Sequence, residues 1–252
     1  MTDLSVLSRL AVLLVRPGVV VALAPTFGGL YVSGHIKVGL TALLALGLLP
    51  SVQAPPPISV LAFGSVIARE VAIGLALGLA VRALVTAIEF AGHLSGYQMG
   101  LMDAATIDPA NGVRNGVVPS LFGMIAVLTL FATDGHHAIL RALAASYTGL
   151  PIGVGAVNES LLASVRETLA LVFVTGVRLA APIVVVLLIV ELVIGFVSRV
   201  APALSFMVIG YPLRMIVGLF VLGFVVSVIP GVVTGLTGRT VRLALETAGA
   251  FR

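Results

Sequence analysis

The run 164–196 limits this chain more than any other feature: it is long and apolar, with Arg178, Pro182 and Glu191 as interruptions. About 20 consecutive apolar residues are enough for a helix to cross a bilayer, and this run exceeds that. The rest of the sequence agrees. Of 252 residues, 60% are hydrophobic and only 10% charged, against about 45–50% and about 25% in soluble domains. The chain therefore reads as an all-α, polytopic membrane protein, a single domain over 1–252. Its backbone polar groups must be satisfied inside helices, because lipid offers them no partner.

Several function classes drop out on the same grounds. Cysteine is absent, so disulfides and thiolate metal sites are excluded. The net charge of +4 comes from scattered arginines and not from a basic stripe, so nucleic acid is not an expected partner; membrane lipid is. Tryptophan is absent, which weakens any aromatic belt at the membrane interface.

Six apolar segments of uneven length follow from hydropathy. The first, 4–24, holds Arg16-Pro17 as an expected bend. It reads as an uncleaved helix, because a cut after Ala24 would leave Pro25 next to the scissile bond. The second, 36–49, is short for an upright span, and Pro50 and Pro55-Pro56-Pro57 close it with a stiff connector. The third, 58–90, carries Arg69-Glu70 and then Gly74 and Gly78, a small-xxx-small pair suited to close helix contact. The others are 117–133, 164–196 and 206–233. A short interfacial helix over 138–147, a loop over 150–159, a connector over 198–205 and a tail over 237–252 complete the outline. Arginines sit at both ends and in several connectors, so the positive-inside count leans to cytoplasmic termini without fixing the orientation.

The stretch 91–109 is too polar for a lipid-facing span and too rich in glycine for an ordinary helix. Gly92, Gly96 and Gly100 recur every fourth residue, the spacing of a bare packing ridge. Gln98, Asp103, Thr106 and Asp108-Pro109 then crowd a chain poor in polar residues. Such a segment belongs where it is buried in protein or lines water. A glycine-rich helix contact followed by a plain loop would explain the glycines but not those polar groups. Met99 and Met102 add adaptable apolar bulk, and Ile107 a further apolar side chain.

Arg69, Glu70, Arg178 and Glu191 lie deepest in apolar runs. Each is costly there, by about 2.5–3.5 kcal/mol on insertion scales, so each is expected to face the interior with a partner. Ion pairs between helices account for them more simply than a proton relay, which needs several carboxylates in series. Asp134-Gly-His-His offers metal-binding side chains. It matches no zinc spacing, and adjacent histidines on a regular helix point apart. It reads as a helix end, with no metal. No nucleophile elbow, His-Glu-x-x-His or phosphate loop occurs, so neither an enzyme nor a cofactor is expected.

A family resemblance runs through nearly the whole chain. It begins with Ala24-Pro25, His35-Ile-Lys37-Val-Gly39-Leu and Glu70-Val-Ala-Ile-Gly74-Leu-Ala-Leu-Gly78. Ala91-Gly92, Gln98-Met99-Gly100-Leu101 and Asp108-Pro109 continue it, then Gly135-His136, Ser146-Tyr147 and Leu150-Pro151-Ile152-Gly153. Pro182, Gly195, Ser198-Arg199-Val-Ala-Pro202 and Ile209-Gly210-Tyr211-Pro212-Leu213 close it. Each motif is weak alone; together, in this order, they resemble the FliR/SctT family of type III secretion export-gate proteins, and Gln98-Met-Gly-Leu with Asp134-Gly-His-His leans to the flagellar branch.

The resemblance implies a fold like a fusion of FliP-like and FliQ-like subunits, standing with them in a helical assembly around a protein-conducting pore. It implies an inner-membrane location at the flagellar basal body, with much of the mass on the periplasmic side. It also implies FlhB-like and FlhA-like export components as partners and unfolded export substrates in transit. The loop over 101–115 is similar to the family's pore plug. No aromatic stands between Tyr97 and Phe122, so Met99, Met102 and Ile107, or methionines of partner subunits, would have to supply the seal. The rival reading is a secondary transporter or proton-coupled permease with Glu191 as its titrating group.

Overall fold

Runs of apolar residues rich in Leu, Ala and Val form helices wherever the chain is described. The computed structural model describes residues 2–27, 32–50, 52, 60–101, 116–153, 159–200 and 206–249. Among them are seven helices and no strand: α1 (Thr2–Leu23), α2 (Gly34–Leu48), α3 (Val60–Gln98), α4 (Val117–Ala132), α5 (Gly135–Gly149), α6 (Glu159–Val200) and α7 (Phe206–Gly249). The protein is an all-α membrane protein. Three helices, α3, α6 and α7, are long and apolar enough to span a bilayer, and α4 with α5 makes a fourth if the broken pair counts as one span. The leading helices α1 and α2 are shorter apolar elements, which is why the expected count of six is approximate.

Most of the helices are longer than the hydropathy segments. α3 continues through the glycine-rich 91–98, so the first half of the stretch 91–109 is ordinary helix after all. α7 runs on to Gly249, so the expected tail is helical as far as that residue. α1 passes through Pro17, α6 through Pro182, and α7 through Pro212 and Pro230 without ending. Apolar helices tolerate internal proline where neighbouring groups satisfy the freed carbonyl.

The chain forms two compact units. The first comprises Met1–Leu84, Leu130–Leu169 and Gly235–Arg252; the second comprises Val85–Thr129 and Ala170–Thr234. The core of the first is built from Val12, Leu13, Val20 and Ala24 of α1 and its end, Ile73, Leu77 and Val81 of α3, and Ile139, Leu143 and Tyr147 of α5. Gly74 and Gly78 turn their bare faces to α1. A Cβ at Gly74 would stand 2.9 Å from Val19 Cβ and 3.2 Å from the Arg16 carbonyl, and one at Gly78 would stand 2.7 Å from Leu23 Cδ1. Ile88, Ala91, Met99, Phe122, Ala126, Ile183, Leu187, Val225 and Ile229 are the buried apolar residues around which the second unit packs.

Candidate functional site

The end of α3 is held by its own turn and by contacts from two other helices. The helix stops at Gln98 because Gly100 takes a left-handed φ of 75°, a conformation that costs glycine nothing. The Leu101 amide donates to the Gly96 carbonyl and the Gly100 amide to that of Tyr97, both at 3.0 Å. This crossed pair is the Schellman arrangement, which satisfies carbonyls left open at a helix end. Gly100 is therefore a helix stop and not the third step of a helical ridge. Gly92 and Gly100 also meet different neighbours. A Cβ at Gly92 would lie 2.6 Å from Pro119 Cα of α4, and one at Gly100 would lie 2.9 Å from Tyr211 Cε1 of α7. Gly96 is buried.

Three side chains then hold that end. The Gln98 amide Nε2 donates to Glu191 Oε1 of α6 at 3.3 Å. The Arg214 Nη2 of α7 reaches the same oxygen at 3.1 Å. The Arg214 guanidinium stands 5.9 Å from the Tyr211 ring centroid. Met99 is fully buried, and a Cβ at Gly218 would press against its Cγ at 2.7 Å. Tyr211, Arg214 and Gly218 follow the i, i+3, i+7 spacing of one helical face. Ser95 needs no outside partner, because its hydroxyl donates to the Ala91 carbonyl one turn back at 2.7 Å. Met102, Asp103, Thr106, Ile107, Asp108 and Pro109 lie outside the described residues.

The first unit holds a second polar cluster around a residue that the sequence reading leaves to a bend. Arg16 is fully buried and forks onto Glu70, Nε to Oε2 at 2.9 Å and Nη2 to Oε1 at 3.1 Å. It also donates to Ser146 Oγ at 3.0 Å and to the Leu150 carbonyl at 3.2 Å. Its guanidinium lies 4.1 Å from the Tyr147 ring centroid, close enough for cation–π attraction. The Gly153 amide donates to Glu70 Oε1 at 3.3 Å, and Arg69 Nη1 donates to the Gly153 carbonyl at 2.9 Å. Four segments of chain thus meet on one bidentate pair. Of the four charges singled out in the sequence, Glu70 pairs with Arg16 and Glu191 with Arg214, while Arg69 finds a carbonyl. Arg178 is exposed on α6, with no ion-pair partner among the described residues. The rule that charges inside apolar helices need partners also applies to Arg16 and Arg214. Both stand next to or near a proline, and the bend signal draws attention away from the charge.

Asp134 opens α5 with a left-handed φ of 55°, and its Oδ1 lies 3.1 Å from His137 Nδ1. The His136 and His137 rings are 4.2 Å apart, closer than regular helical spacing leads one to expect. One ligand atom from each of Asp134, His136 and His137 falls within 4.8 Å of the others. The positive end of α5 opposes a cation there.

A chain whose longest helices can span a bilayer, and whose fully buried arginine and glutamate are paired, is an integral membrane protein built from helices. It belongs to the bacterial export proteins, family 1, whose pattern matches residues 7–240. The flagellar biosynthetic protein FliR of Pectobacterium carotovorum subsp. carotovorum is 33% identical over 217 residues, which is 86% of this chain and 83% of that protein. The protein of the same name from Escherichia coli K12 is 30% identical over 208 residues, 82% of this chain and 79% of its own. The surface presentation of antigens protein SpaR of Shigella flexneri is 25% identical over 217 residues, 83% of this chain and 84% of its own. The family that the motifs imply is the family found.

Proposed function

We propose that the chain is a non-enzymatic subunit of the flagellar protein-export gate in the bacterial inner membrane. It stands with FliP-like and FliQ-like subunits around a protein-conducting pore, next to FlhA-like and FlhB-like components, and passes unfolded subunits outward. Membership of the export family and the names of the flagellar relatives support the export role. The observation that carries the assembly is the outer face of α6. Only 22% of its most apolar stretch is buried, against 61% for that of α3. Val174, Val177, Val185, Leu188, Leu192 and Phe196 form one exposed apolar stripe along α6.

At about 1.5 Å per residue that stripe is roughly 33 Å long, and the exposed Arg178 stands on it near one end. A hydrocarbon core is about 30 Å thick, which is about 39 Å along a helix tilted by about 40°. A bilayer that covers the whole stripe takes the exposed Arg178 into the hydrocarbon. A bilayer placed on either side of Arg178 leaves the apolar residues on the other side uncovered. Apolar helices of other subunits are the natural cover.

The test is co-expression with FliP-like and FliQ-like subunits and purification in mild detergent. One large complex containing all three is the expected product. A stable monomer indifferent to those partners overturns the reading. Within the complex, Gln98, Met99 and the residues that follow, Met102, Asp103, Thr106, Ile107, Asp108 and Pro109, form the gate. Deleting 103–106 should leave the assembled pore permeable to ions, and normal export with no added conductance would remove that assignment.

A further inference from the structure

We propose that Glu191 and Arg214 are positioning residues for the gate: through Gln98 they latch the end of α3, and the resting seal of the pore depends on that latch. The inference rests on the export-gate reading above. Two donors, the Gln98 amide and the Arg214 guanidinium, converge on one carboxylate oxygen, Glu191 Oε1, at 3.3 and 3.1 Å. α3, α6 and α7 are therefore tied at a single atom. Met99 and Gly100, the next two residues, are seated against Gly218 and Tyr211 on the Arg214 face of α7. The chain thus leaves α3 from a point fixed by a charged pair, a buried methionine and a glycine turn.

The arrangement is polar in surroundings that are not. Leu188, Ile189, Leu192 and Val193 flank Glu191 and are exposed apolar residues. The pair is only partly buried, with side-chain exposures of 34% for Glu191 and 15% for Arg214. A pair needed for fold stability alone is replaceable by apolar residues of similar volume. A pair that fixes register is not, because only its geometry places the third partner. Here the third partner is the last residue of α3.

The experiment uses the full export complex, with Glu191→Ala, Arg214→Ala and the exchange Glu191→Arg/Arg214→Glu. Assembly is read by co-purification of the partner subunits, and sealing by resting ion conductance of the complex in liposomes. The single variants should assemble and leak several-fold more than the parent. The exchange should restore much of the seal, since the Gln98 amide carries both a donor and an acceptor and can clasp either charge. Assembled single variants that stay tight overturn the latch, with the export-gate reading untouched. Loss of assembly in the singles and the exchange alike also overturns it, in favour of a structural pair. Failure of the parent chain to assemble with its partners would instead defeat the export-gate reading itself.

Discussion

Arg16 shows how much a single residue settles in this protein. Its guanidinium and the Glu70 carboxylate are both without solvent contact, and every partner named for them lies in the same unit. Removing one member leaves the other charged, buried and unpaired, which costs about 3–5 kcal/mol. Arg16→Met and Glu70→Gln should both lower the thermal midpoint of the detergent-solubilised protein, Arg16→Met the more. Arg16→Met/Glu70→Leu together should recover much of the loss, because no buried charge then remains. Equal midpoints for parent and single variants would show that water reaches the pair. The sequence places an arginine and a glutamate in separate apolar runs. It does not say that the two meet, because the chain across their sequence separation of 54 includes connectors whose course hydropathy does not specify.

At the scale of helices, glycine sets the distances. Gly92 brings α3 so close to α4 that a methyl group would enter the Pro119 backbone. Gly176 does the same between α6 and α3, where a Cβ would lie 2.4 Å from Phe90 Cδ1 and 3.0 Å from the Ala87 carbonyl. Backbone cannot rotate away as a side chain can. Gly92→Ala and Gly176→Ala should therefore each destabilise by about 1–3 kcal/mol, the usual cost of overpacking. Gly223→Ala should be near neutral, since nothing lies within 4 Å of its added carbon. Thermal melts of the three variants side by side measure the ordering, and a Gly92 variant no worse than the Gly223 variant would contradict it. Gly96→Leu, a larger intrusion at a buried position, should block assembly and motility. The four-residue spacing of Gly92 and Gly96 was legible as a packing signal. That Gly100 ends the helix instead of continuing the ridge was not, because the same residue serves both purposes and only φ distinguishes them.

For the molecule as a whole, the question is what drives its function. Glu191 looks in the sequence like a lone carboxylate suited to titration. In the folded chain it accepts from Gln98 and pairs with Arg214. Glu191→Gln should accordingly leave flagellar export running, measured as secreted flagellin and swarming. Abolished transport with assembly intact and no leak would favour a proton-coupled permease. The full length of α3, α6 and α7 was not expected from hydropathy, which ends its segments at glycine and charge where the backbone continues.

What the sequence determines by itself is the solvent and the class. Sixty per cent apolar residues leave helices in a membrane setting as the economical outcome, since a helix satisfies its own backbone wherever it goes. The motif order is enough to assign the family, because it is a property of the chain and not of its shape. Tertiary structure alone decides which charges meet. Arg16 reaches Glu70, and Arg214 and Gln98 share one oxygen of Glu191, because helix packing brings distant positions within about 3 Å. Local periodicity carries no record of that distance. The end of α3, read first as a glycine ridge, is thereby a capped and latched terminus.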